Sequence, residues 1–280
     1  MLILTTPAEV HEWVRALPST FARGFVPTMG ALHRGHESLL QMSLAHNDTT
    51  ALSIFVNPTQ FNVRSDYDNY PITHARDLAL AEHHGVDMVY MPSVDTMYPE
   101  GFGSYIEPGT TAEHMEGKNR PGHFRGVTTI VAKLFNAVQP HRAYFGKKDF
   151  QQLAVIQQMV RELDFPIEVV GVDTVREDDG LAMSSRNQRL NPQQRAEAHI
   201  IYEALQRCKE MSRHGVSATD DLYKEFSSAF SSNTQATIEY VTVCDSITLR
   251  EVDEVTPSTV MCVAVWFGDV RLIDNIELSR

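Results

Sequence analysis

The chain has 280 residues, 42% of them apolar, with 24 Lys plus Arg against 36 Asp plus Glu and a formal net charge of −12. That length buries a substantial core without disulfide staples and accommodates one large domain or two modest ones. A surface so acidic repels phosphate backbones and anionic bilayers at long range, which argues against nucleic acid or a membrane as the main partner and leaves room only for a local basic pocket that takes a small anion.

Near the start, Thr6-Pro7-Ala8-Glu9 reads as an N-cap, a first-position proline and a capping-box glutamate, and Val10, Trp13, Val14 and Leu17 continue one helical stripe. No basic n-region precedes this helix, so a signal peptide is not expected. The longest apolar run, Val260 to Phe267, has eight residues, too few to span a bilayer. Three cysteines, Cys208, Cys244 and Cys262, fit neither a disulfide framework nor a zinc ribbon, and a cytoplasmic location is expected.

Strand and helix then alternate. Apolar strands are expected at Gly24 to Val26, Ala51 to Val56, Val86 to Met91, Arg142 to Phe145 and Ile167 to Val172. Helical spacing fills about Gly35 to His46, Asp77 to Gly85, Gly126 to Val138 and Phe150 to Asp164. Crossover helices between strands imply an α/β, doubly wound, mainly parallel sheet covered on both faces. The charged turn Arg176-Glu177-Asp178-Asp179-Gly180 marks a change of composition, and we place the domain junction there, at 174/175. Beyond it, a long helix from Asn191-Pro192 towards Gly215, a helix over about Asp220 to Phe230, and strands at Ala236 to Cys244 and Val260 to Phe267 predict a smaller α+β domain.

Chemistry gathers in three places. The first predicted strand runs into Pro27-Thr28-Met29-Gly30-Ala31-Leu32-His33-Arg34-Gly35-His36, where glycines permit close approach to the backbone and the start of a helix attracts phosphate. His33 and His36 fall on one side of the helical turn. They suit donors to a nucleotide's phosphates, and the same spacing is open to a zinc pair or to capping and core histidines. Gly146-Lys147-Lys148-Asp149 follows the strand at Arg142 to Phe145, so both groups would face one crevice at the carboxyl ends of the strands. Its lysines can neutralise polyphosphate and Asp149 can serve a ribose hydroxyl or hydrated magnesium; a solvated turn is the plain alternative. Met183-Ser184-Ser185-Arg186 at the junction is either a linker or a lid that adds hydroxyls and a guanidinium to bound phosphates.

Pro27 to Gly30, His33 to His36, Phe55-Val56-Asn57-Pro58-Thr59-Gln60-Phe61, Arg120-Pro121-Gly122-His123-Phe124-Arg125-Gly126-Val127, Asp149-Phe150-Gln151-Gln152-Leu153, Met183 to Asn187 and Arg271-Leu272-Ile273-Asp274-Asn275 together resemble the pantothenate synthetase family, the pantoate–β-alanine ligases. The resemblance runs in order over nearly the whole chain; His-x-Gly-His alone would indicate only the wider nucleotidyltransferase superfamily. It implies a Rossmann-like domain at 1–174 that binds ATP and pantoate, a C-terminal lid domain at 175–280, a homodimer, and a magnesium-dependent reaction. In that reaction pantoate and ATP give pantoyl adenylate and pyrophosphate, and β-alanine then displaces AMP.

By the same resemblance His36, His33, Lys148 and Arg186 are catalytic, with His36 at the phosphates and His33 as its partner. Met29, Gly30, Gly35, Gly146, Asp149, Val175, Met183, Ser184 and Ser185 join those four in contacting ATP. Gln60 and Gln152 match the pantoate-binding glutamines, with Gln60 also at the β-alanine position, and Asp77 matches an acidic position near magnesium. One departure is Lys147, where the family often has Glu. Rival readings are a phosphate-adenylating nucleotidyltransferase, which would need a basic acceptor pocket in place of Gln60 and Gln152, a non-catalytic ATP-binding regulator, and a zinc hydrolase built on His33 and His36.

Overall fold

A computed structural model describes residues 1–231 and 235–278. It divides into two units: Met1–Lys147 with Val155–Asp173, and Lys148–Ala154 with Thr174–Arg280. The junction expected at 174/175 was drawn by order along the chain, whereas the division by compactness also groups 148–154 with the second unit.

The first unit opens with β1 (Leu2–Leu4) and α1 (Pro7–Ala16), the latter capped as its sequence predicts: Thr6 Oγ1 accepts from Glu9 N, and Glu9 returns a carboxylate to Thr6 N at 2.9 Å. There follow β2 (Arg23–Thr28), α2 (Arg34–His46), β3 (Thr49–Ile54), α3 (Arg64–Asp68), α4 (His74–His84), β4 (Met88–Tyr90), α5 (Val94–Met97), α6 (Met115–Asn119), α7 (His123–Val138), β5 (Arg142–Gly146), α8 (Phe150–Glu162) and β6 (Glu168–Val172). The strands form a six-stranded sheet in the order β1-β4-β3-β2-β5-β6, with every neighbouring pair parallel. Every residue of β3 is buried, as expected of a central strand covered on both faces. On one face Val26, Leu52 and Ile54 meet Leu39 and Leu40 of α2. On the other, Phe135 of α7 meets Phe25 and Phe145 edge-on, each at 6.4 Å.

Connections run outward from β2 to β3 and β4 on one side and from β5 to β6 on the other. The order therefore reverses between β2 and β5, and the crevice outside their carboxyl ends is where such sheets bind ligands. This is the doubly wound, Rossmann-like arrangement the alternating pattern predicts.

In the second unit α9 (Pro192–Glu197), α10 (Ile200–Arg213) and α11 (Thr219–Ala229) precede β7 (Ala236–Asp245), β8 (Thr259–Phe267) and β9 (Val270–Glu277), an antiparallel sheet in chain order. Ile201, Leu205 and Cys208 of α10, Leu222 and Phe226 of α11, and Val263, Val265 and Phe267 of β8 share one core. The single long helix expected from Asn191 to Gly215 is interrupted: around Ala198 and His199 the bonding shortens to i→i+3, with Ile201 N donating to Ala198 O and Tyr202 N to His199 O. Strands β1 and β9 were not anticipated. β1 is only three residues long and owes its strand state to pairing with β4, whereas in β9 Arg271, Asp274 and Asn275 break the apolar run. All three cysteines are buried thiols outside any disulfide. Among the described residues no helix is long and apolar enough to cross a membrane.

Candidate active site

The turn that leaves β2 is shaped by a buried carboxylate. Asp77, in the first turn of α4 and 0% exposed, accepts from Ala31 N at 3.0 Å, Leu32 N at 2.8 Å and the Thr73 hydroxyl at 3.1 Å. Gly30 sits at φ +84°, and a Cβ there would lie 3.0 Å from Asp77 Oδ2, so backbone conformation and space both call for glycine. Burial and these hydrogen bonds give the carboxylate a structural task, to hold the 29–32 turn, beside the position near magnesium that the family resemblance implies for it.

That turn delivers His33 as the N-cap of α2. His33 Nδ1 accepts from Gly35 N at 3.1 Å and His36 Nδ1 accepts from His33 N at 3.3 Å, a capping box made of two imidazoles whose ring centres lie 4.1 Å apart. With Nδ1 used as the acceptor, the proton of each neutral ring resides on Nε2, and each ring acts as a donor through that atom. The capping and phosphate-donor readings of this pair are thus compatible. Among the described residues no group of three or more His, Cys, Asp or Glu converges to hold a metal ion.

Gln60 ends a 3₁₀ turn, Pro58–Gln60, and is 9% exposed. Its Oε1 accepts from Asn57 Nδ2 at 3.0 Å, and its Nε2 donates to Met29 Sδ at 3.1 Å, so the structure joins two of the predicted site residues. Buried Asn57 also donates to Gly126 O and accepts from the Tyr98 phenol at 2.7 Å. Burial raises the pKa of that phenol and keeps it a donor. His123 Nδ1 meets Gln60 O at 2.8 Å. Asn57, itself held by Tyr98, therefore sets the Gln60 side-chain amide, and His123 holds the Gln60 backbone carbonyl; Asn57 and His123 lie in the quoted motifs, but nothing in their spacing reveals these tasks.

Helix α7 approaches the turn so closely that a Cβ on Gly126 would lie 2.5 Å from Thr59 O. Gly126→Ala is accordingly expected to lower stability by about 1–3 kcal/mol through overpacking, read as a lower denaturation midpoint.

Beside β2 in the same sheet, β5 ends at Gly146, and the chain turns through a 3₁₀ segment, Lys147–Asp149, into α8. Lys147 pairs with Asp173 at 2.7 Å in the first unit, so the departure at this position is used in a surface ion pair. Within the second unit Lys148, Ser184 and Arg186 line one pocket with Arg271 and Asp274. Lys148 Nζ lies 3.9 Å from Asp149 Oδ1, whose side chain is about half exposed. Gln152 lies in the first turn of α8 and is half-buried.

The segment from Val175 to Met183 doubles back on itself, with Met183 N donating to Val175 O and an antiparallel bridge between Arg176 and Ala182. Arg176 makes a bidentate pair with buried Asp274, at 2.6 and 3.0 Å, and its guanidinium stacks 3.7 Å from the Tyr202 ring. Arg195 clamps Glu177 and Asp179, and its hydrogen bond lowers the pKa of the Asp179 carboxyl. Ser184 then caps a 3₁₀ helix, Ser185–Arg189, accepting from Arg186 N at 3.2 Å. The segment read as linker or lid is thus hydrogen-bonded structure.

A parallel sheet with a two-histidine helix start at its switch point and a lysine–serine–arginine pocket in the second unit define a Rossmann-like nucleotide-binding protein. The family model for pantoate-beta-alanine ligase matches residues 2–277. A pantothenate synthetase of Acetivibrio thermocellus is 50% identical over 253 residues, 90% of each chain, and one of Chloroflexus aggregans is 49% identical over 276 residues, 98% of this chain and 99% of that one. Among solved structures, pantothenate synthetase from Thermus thermophilus matches at TM-score 0.94 and 43% identity, covering 100% of both chains. A pantoate-beta-alanine ligase from Francisella tularensis, complexed with beta-gamma ATP and beta-alanine, matches at TM-score 0.83 and 34% identity over 99% of this chain and 98% of that one. The chain belongs to the pantoate–β-alanine ligase family, and it is a ligase.

Proposed function

We propose that the protein condenses pantoate with β-alanine at the expense of ATP, through a pantoyl adenylate, as a cytoplasmic homodimer. The observation that carries this reading is Gln60, a neutral amide buried beside Met29 at the turn after β3, in a chain that matches the ligase family almost end to end. A phosphate acceptor would call for cations there, whereas amide groups bind hydroxyls and a carboxylate without a charge pair that holds the carboxylate back.

In the first step a pantoate carboxylate oxygen bonds to the α-phosphorus of ATP, and the bond from that phosphorus to the bridging oxygen breaks to release pyrophosphate. In the second, the β-alanine nitrogen bonds to the acyl carbon, the bond to the adenylate oxygen breaks to release AMP, and the nitrogen loses a proton to solvent. No enzyme nucleophile is needed. His36 and His33 donate through Nε2 to the phosphates, Lys148 and Arg186 neutralise the charge that grows on pyrophosphate, and Ser184, Ser185, Gly30, Gly35, Gly146, Met29, Asp149, Val175 and Met183 shape the nucleotide site. Gln60 and Gln152 orient pantoate, and Gln60 also serves β-alanine. Magnesium fits as an ion that travels with the ATP phosphates and water rather than in a protein cage, with Asp149 the carboxylate available in the lysine turn; when bound it neutralises phosphate charge.

Support for the cytoplasmic assignment comes from the three buried thiols outside any disulfide, and the net charge of −12 disfavours nucleic-acid partners. The homodimer rests on the family resemblance. With pantoate alone, labelled pyrophosphate should exchange into ATP, and adding β-alanine should yield pantothenate and AMP. Release of ADP and phosphate, or exchange that strictly needs β-alanine, would overturn the two-step reading.

A further inference from the structure

We propose that Asn275 is a positioning residue for Lys148: it aims the lysine from β9, and with its neighbour Asp274 it registers two segments of the nucleotide pocket to one strand. The inference rests on the ligase reading and deepens it. Asn275, 8% exposed, donates its side-chain N–H to the Lys148 carbonyl at 2.9 Å, across 127 residues of sequence. A carbonyl held in a fixed direction sets the peptide plane after Lys148, and with it the direction in which the lysine side chain leaves the backbone. The adjacent Asp274, 4% exposed, takes both ends of the Arg176 guanidinium and accepts from Asn275 N at 2.8 Å. Arg176 anchors the doubled-back segment that ends at Met183 and leads into Ser184 and Arg186. Lys148, Ser184, Arg186 and Asp274 all line the same pocket. Transition-state stabilisation falls steeply when a cation is misplaced by an ångström, so a buried amide with no atom on the substrate acquires a kinetic role.

The test compares wild type, Asn275→Ala, the isosteric Asn275→Asp, Lys148→Ala and the double variant Asn275→Ala/Lys148→Ala, using ATP, pantoate and magnesium in single-turnover adenylation with thermal melts alongside. Asn275→Ala should lose about tenfold in adenylation with an unchanged pantoate requirement. Asn275→Asp keeps the shape but turns a carboxylate oxygen on the carbonyl, and should lose at least as much. In the Lys148→Ala background the Asn275→Ala loss should shrink to less than about twofold, because residues that act through one another are not additive. An independent tenfold loss in that background, full activity of Asn275→Asp, or adenylation by Asn275→Ala within twofold of wild type would each overturn the proposal. Should Asn275→Ala fail to fold, Asn275→Asp alone and combined with Lys148→Ala carries the same comparison. Wild-type exchange of pyrophosphate into ATP is scored separately, so failure of the ligase reading is distinguishable from failure of the Asn275 role.

Discussion

His36→Ala and Lys148→Ala should each slow pantoyl adenylation about a hundredfold, the cost of roughly 3 kcal/mol when a donor aimed at developing charge is removed. Pyrophosphate leaves with more negative charge on its bridging oxygen than it had in ATP, so a hydrogen bond or cation there strengthens on the way to the transition state. His36 also closes the cap of α2 by accepting from His33 N, and its loss should cost stability of the order of 1 kcal/mol as well. His36→Gln separates the two effects. Glutamine is an ordinary capping-box residue at that position, so it restores the cap and the melting temperature but leaves no imidazole to donate. Lys148, only 16% exposed in its side chain, makes no such cap, and its replacement should leave the melting temperature nearly unchanged. Single-turnover adenylation in rapid quench, with melts beside it, decides the matter. Near-normal rates for either alanine variant would remove that residue from the catalytic set, and a normal rate for His36→Gln would show that an amide N–H donor serves as well as the imidazole.

Gln60→Ala should raise the pantoate requirement at least about tenfold while ATP binding to the free enzyme stays within about twofold. The Gln60 amide holds one firm bond, from Asn57 Nδ2 to its Oε1, and one weak one, from its Nε2 to the Met29 thioether. A thioether is a poor acceptor, so a pantoate oxygen can replace it at a gain, whereas without the amide a buried pantoate hydroxyl or carboxylate is left unpaired at about 1–3 kcal/mol. Gln60→Glu should be worse, because it sets a second carboxylate against that of the substrate. Calorimetric titration with ATP beside pantoate-dependent kinetics measures both halves. Equal losses for the two ligands, or none for pantoate, would refute the assignment of acid recognition to this side chain.

Much of the first unit was legible because its signals are local. The α1 cap is written within four residues, the central strands are short apolar runs, and glycine with histidine at the end of β2 announces a helix start suited to phosphate. The second unit was read less well. Its third strand carries polar residues for tasks elsewhere, and its long helix is interrupted at Ala198–His199 where no Gly or Pro marks the interruption. Asp77 shows what motif reading leaves out: besides the position near magnesium that the resemblance implies, its carboxylate holds Ala31 and Leu32 from 46 and 45 residues away.

By itself the sequence determined the α/β alternation, the positions of the phosphate-suited turns and the family, since hydrophobic period, capping chemistry and motif order are properties of neighbouring residues. Only the tertiary structure decided which atom of each imidazole accepts, why Gly126 admits no side chain, and how His123 and Asn275 hold groups they do not adjoin in sequence. The reason is that a hydrogen bond spanning 63 or 127 residues is selected by the packing of whole elements, and nothing in the residues flanking either partner specifies the other.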